Sequence, residues 1–96
     1  MIDSALRIIF MGTPDFAAST LQALLDGPDR VVAVVTQPDR PKGRGKRLTP
    51  PPVKILAEKM GLPVLQPTKI KTEEFRDELK EYKPDVVVVA AYWRGA

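Results

Sequence analysis

The chain has 96 residues, a net charge of +3, and neither cysteine nor histidine. One small domain is all that length allows, and the missing residue types exclude a disulfide framework, thiolate or imidazole metal ligands and a nucleophilic thiol. The opening MIDSALRIIFMGTPDF has no basic start and too short an apolar run for a signal sequence or membrane span, so a cytoplasmic location is expected.

Residues 6–11, LRIIFM, form an apolar run with one charge, bounded by Gly12. Such a run suits a strand covered on both faces, and so a parallel sheet. Gly12-Thr13-Pro14-Asp15 then turns the chain into a helix. Pro14 has its angle preset for a first helical position, and Asp15 suits the positive end of the dipole. Ala17, Leu21, Leu24 and Leu25 form one apolar stripe, and Gly27-Pro28 stops it. VVAVVT, residues 31–36, reads as a second buried strand, which gives a β-α-β unit with a right-handed crossover.

The next stretch, TQPDRPKGRGKRLTPPP (36–52), departs from this pattern. Arg40, Lys42, Arg44, Lys46 and Arg47 place five cations in eight positions, with no acidic residue among them. Set those five aside and the net charge falls from +3 to −2, so the basicity is local. No part of the stretch can enter the core without stranding charge. It reads as a long loop, mobile at Gly43 and Gly45 and stiffened at both flanks by proline. Short basic runs are most often solvated surface, but concentrated cations on a loop also suit a phosphate backbone. Two motifs fail here. Arg40 stands where a P-loop needs its first glycine and Arg47 where it needs Ser or Thr, and Gly43-x-Gly45 does not join a strand to a helix as a dinucleotide fingerprint must.

Strand–helix alternation then resumes. Pro52 opens a helix with Val53, Leu56, Ala57 and Met60 on one stripe, and Gly61 ends it. PVLQ (63–66) is a short strand. Thr72 caps a helix with Glu73 and Glu74 in its first turn, Phe75, Leu79 and Tyr82 on its stripe, and Pro84 at its end. VVVVAA (86–91) is the most uniformly apolar stretch and reads as the fourth strand of the core sheet. The expectation is an α/β half-domain, doubly wound and mainly parallel, in the order 3-2-1-4. Ligands of such sheets sit at the carboxyl ends of the strands flanking the change of direction. Those ends are Gly12 to Asp15 and Tyr92, although an ordinary strand-to-helix turn also accounts for Gly12 and Pro14, and a helix start for Asp15. Strand 4 lies at the sheet's edge, flat, uncharged and β-branched, so a homodimer through 86–91 is expected.

LRIIFMGTPDFAA, VVAVVTQPDRPKGRGKRLTPPPVK, GLPVLQP and KPDVVVVAAY resemble, in order and spacing, the amino-terminal part of the methionyl-tRNA formyltransferases. The resemblance covers residues 6–92, and MGTPDF followed at this spacing by TQPDRPKGRGK is its most specific part. It implies a Rossmann-like domain, here truncated over residues 1–96, with a tRNA-binding loop at 37–52. It also implies transfer of a formyl group from 10-formyltetrahydrofolate, the family's cosubstrate, to the amino group of methionyl initiator tRNA. The implied tRNA contacts are Arg40, Lys42, Arg44, Lys46 and Arg47, with Arg44 foremost. Gly12, Thr13, Pro14, Asp15, Phe16 and Tyr92 match the crevice at the aminoacyl end.

The resemblance stops short of catalysis. The family's catalytic Asn and His lie in an Asn-x-His-x-Ser-Leu-Leu-Pro segment, with an Asp further on, and this chain has neither Asn nor His. The folate contacts of that segment are missing too, so the chain alone is expected to bind no cofactor and to be inactive. Trp93-Arg94-Gly95-Ala96 matches the WRGA that follows the catalytic segment, through either an internal loss after Tyr92 or a coincidence. The alternative function is a non-catalytic RNA-binding module that uses the basic loop.

Overall fold

A computed structural model describes residues 5–12, 16–38, 40–42 and 47–90. Strand β1 (Arg7–Gly12) leads to helix α1 (Ala17–Asp26) and strand β2 (Arg30–Val35). Two short strands, β3 (Arg40–Lys42) and β4 (Arg47–Thr49), precede α2 (Pro52–Lys59), β5 (Val64–Leu65), α3 (Glu73–Glu81) and β6 (Val86–Ala90). The main sheet has the order β5-β2-β1-β6 with every pairing parallel. This is the expected 3-2-1-4 arrangement, with the direction of winding reversing between β1 and β6.

Helices cover both faces. On one side α1 and α2 bury Phe10, Ala17, Leu21, Val31, Val34, Val53 and Ala57 against the sheet, with Leu24 and Leu25 packed alongside. On the other, Phe75 of α3 closes over Ile9, Ala33 and Val35, with Leu79 and Tyr82 beside it. Full burial of side chains this size is worth about 1.5–3 kcal/mol each, so these two layers carry the fold. The α3 start is as the sequence indicates: the Thr72 hydroxyl accepts from Phe75 N at 3.1 Å. Gly61, at φ +73°, ends α2 in the left-handed region that glycine tolerates.

Several expectations need correction. Met60 is not on the α2 stripe; it is the C-cap and half exposed. Helix α1 starts at Ala17 with Phe16 as its N-cap, and Pro14, expected at the first helical position, lies outside the described residues. The expected third strand, 63–66, shrinks to Val64–Leu65, and beyond it the Gln66 side-chain amide donates to Gln37 O at 3.1 Å. Strand β2 is also irregular. Ile8 pairs with Val31 but Ile9 with Ala33, so Val32 is the extra residue of a bulge. Val32 and Ala33 therefore both face the α3 layer, while Val31 and Val34 face α1 and α2.

Candidate functional site

The amino ends of the strands are tied down. Leu6 N donates to Asp29 Oδ1 at 2.9 Å, and Arg7 N to Asp85 Oδ2 at 2.8 Å. The Arg7 guanidinium reaches the end of α3, with Nη2 donating to Tyr82 O at 2.6 Å and Nε to Lys83 O at 3.0 Å. Beside it Lys83 takes φ +51°, an uncommon conformation for a non-glycine residue. A cation at a helix C-terminus meets orphan carbonyls and the negative end of the dipole, so Arg7 is a structural clamp. It lies at the end of the sheet opposite the carboxyl ends of the strands.

At those carboxyl ends, Gly12 pairs with Ala90 across β1 and β6, where the winding reverses. Gly12 is required for close approach. A Cβ there would stand 2.8 Å from Ala17 Cβ and 2.8 Å from the Phe10 ring, both fully buried. Phe16 follows at the start of α1 and is 58% exposed. Thr13, Pro14, Asp15 and Tyr92 lie outside the described residues. Acyl transfer to an amine needs a proton acceptor and donors for the developing oxyanion. Gly12, Phe16 and Ala90 supply neither from a side chain.

The basic stretch is the larger correction. Its legs are not an unpaired loop: β3 and β4 pair antiparallel as Arg40↔Thr49, Pro41↔Leu48 and Lys42↔Arg47. As the charge demands, this hairpin stands apart from the main sheet. Alternate residues of a two-stranded ribbon point their N–H away from the partner, so a proline can be accommodated. Three of the five expected cations, Arg40, Lys42 and Arg47, lie on the hairpin's paired strands, with Lys42 and Arg47 in register across them. Arg44 and Lys46 lie outside the described residues.

A family model described as formyl transferase matches residues 6–94. The chain belongs to the formyl transferase family. Among relatives, the methionyl-tRNA formyltransferase of Desulfotalea psychrophila is 71% identical over 92 residues, covering 96% of this chain and 28% of the relative. That of Desulforamulus reducens is 61% identical over 87 residues, covering 91% of this chain and 27% of the relative. That of Geotalea daltonii is 56% identical over 87 residues, again 91% of this chain and 28% of the relative. This formyl transferase chain therefore spans somewhat over a quarter of the length of the curated relatives it matches. Among the described residues, no helix is long and apolar enough to cross a membrane and no acidic cluster is placed to hold a metal ion.

Proposed function

We propose that residues 1–96 are the amino-terminal part of a methionyl-tRNA formyltransferase and that their share of the task is to engage methionyl initiator tRNA. The observation that carries this is the basic hairpin, whose paired strands carry Arg40, Lys42 and Arg47, in a chain 71% identical to such an enzyme. Guanidinium forks and a lysine concentrated on one ribbon suit a phosphate backbone. Arg44 and Lys46 extend the same basic segment toward its tip. The crevice formed by Gly12, Thr13, Pro14, Asp15, Phe16 and Tyr92 is the proposed place for the methionyl end.

The formyl donor proposed for the whole enzyme is 10-formyltetrahydrofolate. With no histidine and no asparagine in the chain, proton transfer and donor binding are assigned to parts of the enzyme beyond these residues. The rival reading is a hairpin that grips any RNA. Fluorescence anisotropy with initiator methionyl-tRNA and an elongator tRNA at matched salt separates the two. Tighter binding of the initiator supports the proposal, and equal binding supports the rival.

A further inference from the structure

The basic hairpin joins the main sheet through two legs, and they are held in different ways. The returning leg is held by packing: Pro51 is buried and Val53 fully so, and Pro51 O accepts from Lys54 N at 2.9 Å where α2 begins. The leaving leg cannot be held by the ladder that precedes it. Strands β2 and β5 are joined by Val34 N donating to Pro63 O at 2.9 Å and Thr36 N to Leu65 O at 3.0 Å. The next two donors of that parallel ladder would belong to Pro67 and Pro38, and proline has no N–H. One step further on a side chain takes over: Gln66 Nε2 donates to Gln37 O at 3.1 Å, in a half-buried setting. Both glutamines precede a proline, which biases them to extended backbone and limits how far either can turn away.

We propose that Gln66 is a positioning residue for RNA engagement: its amide fixes the leaving leg, and so the angle at which the hairpin carries Arg40, Lys42 and Arg47 away from the sheet. This rests on the reading of the hairpin as the RNA-binding element. A hairpin held at one leg only would swing, and RNA would have to order it on binding. With both legs held that ordering is already done, so the amide contributes affinity by acting through Gln37. The cations do something different. They set how many phosphates are neutralised and hence the salt slope, whereas Gln66 sets how much freedom is lost. Gln66→Met keeps the side chain's length and removes its donor. It should weaken initiator tRNA binding about fivefold, the effect of losing one ordinary hydrogen bond, with the salt slope unchanged.

Two readouts on the 96-residue chain test this. Residual dipolar couplings of the amides compare the hairpin with the main sheet, and fluorescence anisotropy follows initiator tRNA binding across salt. In the wild type, hairpin and sheet couplings should fit one common alignment. In Gln66→Met the hairpin couplings should shrink while those of the sheet keep their values. Thr72→Ala, which loses the cap of α3, controls for lost stability and should change neither readout. Hairpin couplings that fail the common alignment in the wild type, or that survive Gln66→Met, overturn the proposal. So does a hairpin loosened by Gln66→Met with tRNA affinity unchanged, or an affinity loss that Thr72→Ala reproduces. A wild type that binds no tRNA overturns the functional reading and with it the role of Gln66, a failure told apart from the others by the wild type alone.

Discussion

Arg7→Met removes the clamp between the first strand and the end of α3 while keeping an unbranched apolar stem. Nη2 donates to Tyr82 O at 2.6 Å, and the single Nε–H is shared between Tyr82 O at 3.1 Å and Lys83 O at 3.0 Å. A hydrogen bond from a charged donor contributes about 1.5–3 kcal/mol, and a cation at a helix C-terminus about 0.3–1 kcal/mol. The carbonyls lie near the surface and water replaces part of the loss, so the lower end applies, about 2 kcal/mol. For a domain of this size that lowers Tm by roughly 8–16 °C. Arg7→Lys keeps the charge without the fork and should fall between. The same contacts hold Lys83 at φ +51°, which costs a side-chain-bearing residue about 1 kcal/mol. Lys83→Gly relieves that strain, partly offset by a more flexible unfolded chain, for a net gain of about 0.5 kcal/mol. Urea denaturation followed by circular dichroism measures all of these, and the double variant gives their coupling. A loss below about 0.5 kcal/mol for Arg7→Met refutes the clamp.

Gly12→Ala should cost about 1–3 kcal/mol by overpacking, since the new methyl meets Ala17 Cβ and the Phe10 ring at 2.8 Å and neither has free space; an unchanged denaturation midpoint contradicts this. Thr72→Ala removes the cap on Phe75 N and should cost about 1 kcal/mol, with Thr72→Ser nearly neutral, in the same urea experiment. The chain by itself should form no formyl-methionyl-tRNA from 10-formyltetrahydrofolate above a protein-free blank, since it has no histidine to serve as base near neutral pH. Turnover well above that blank would locate the catalytic groups within these 96 residues after all.

The sheet was legible because its strands are apolar runs bounded by turn residues: RIIFM before Gly12, VVAVV before the basic stretch, VVVVA after Pro84. The α3 start was legible for the same kind of reason, since Thr72 followed by Glu73 and Glu74 announces a cap. The Val32 bulge was not, because five consecutive apolar residues look the same whichever face each one takes. Arg7 gave no signal either. Its partners are main-chain carbonyls 75 and 76 positions away, and a carbonyl has no letter of its own. Lys83 at positive φ was equally hidden, since glycine or asparagine is the usual mark of that conformation. The basic hairpin was misjudged for an instructive reason. Charge argued against a place in the core sheet, but strand pairing does not require a core, and Pro41 obscured a ribbon that tolerates it. Gly12, read as a crevice residue that an ordinary turn also explains, is packed against Ala17 and Phe10, which only the fold brings to it.

The central claim, the proposal that the basic hairpin holds the RNA backbone, is tested most directly by the salt dependence of initiator tRNA binding. Each neutralised phosphate contributes about −0.9 to the slope of log affinity against log salt on a duplex, so five cations give at most about −4.5. Lys42→Gln with Arg47→Gln removes two cations in register across the hairpin, and the slope should become shallower by about 1.8. Arg44→Gln should weaken binding more than Arg40→Gln, since the proposed tRNA contacts put Arg44 foremost. Wild-type binding with that steep slope, reduced by the paired substitution, is the predicted result. A slope near zero, or one the paired substitution leaves unchanged, would contradict the account.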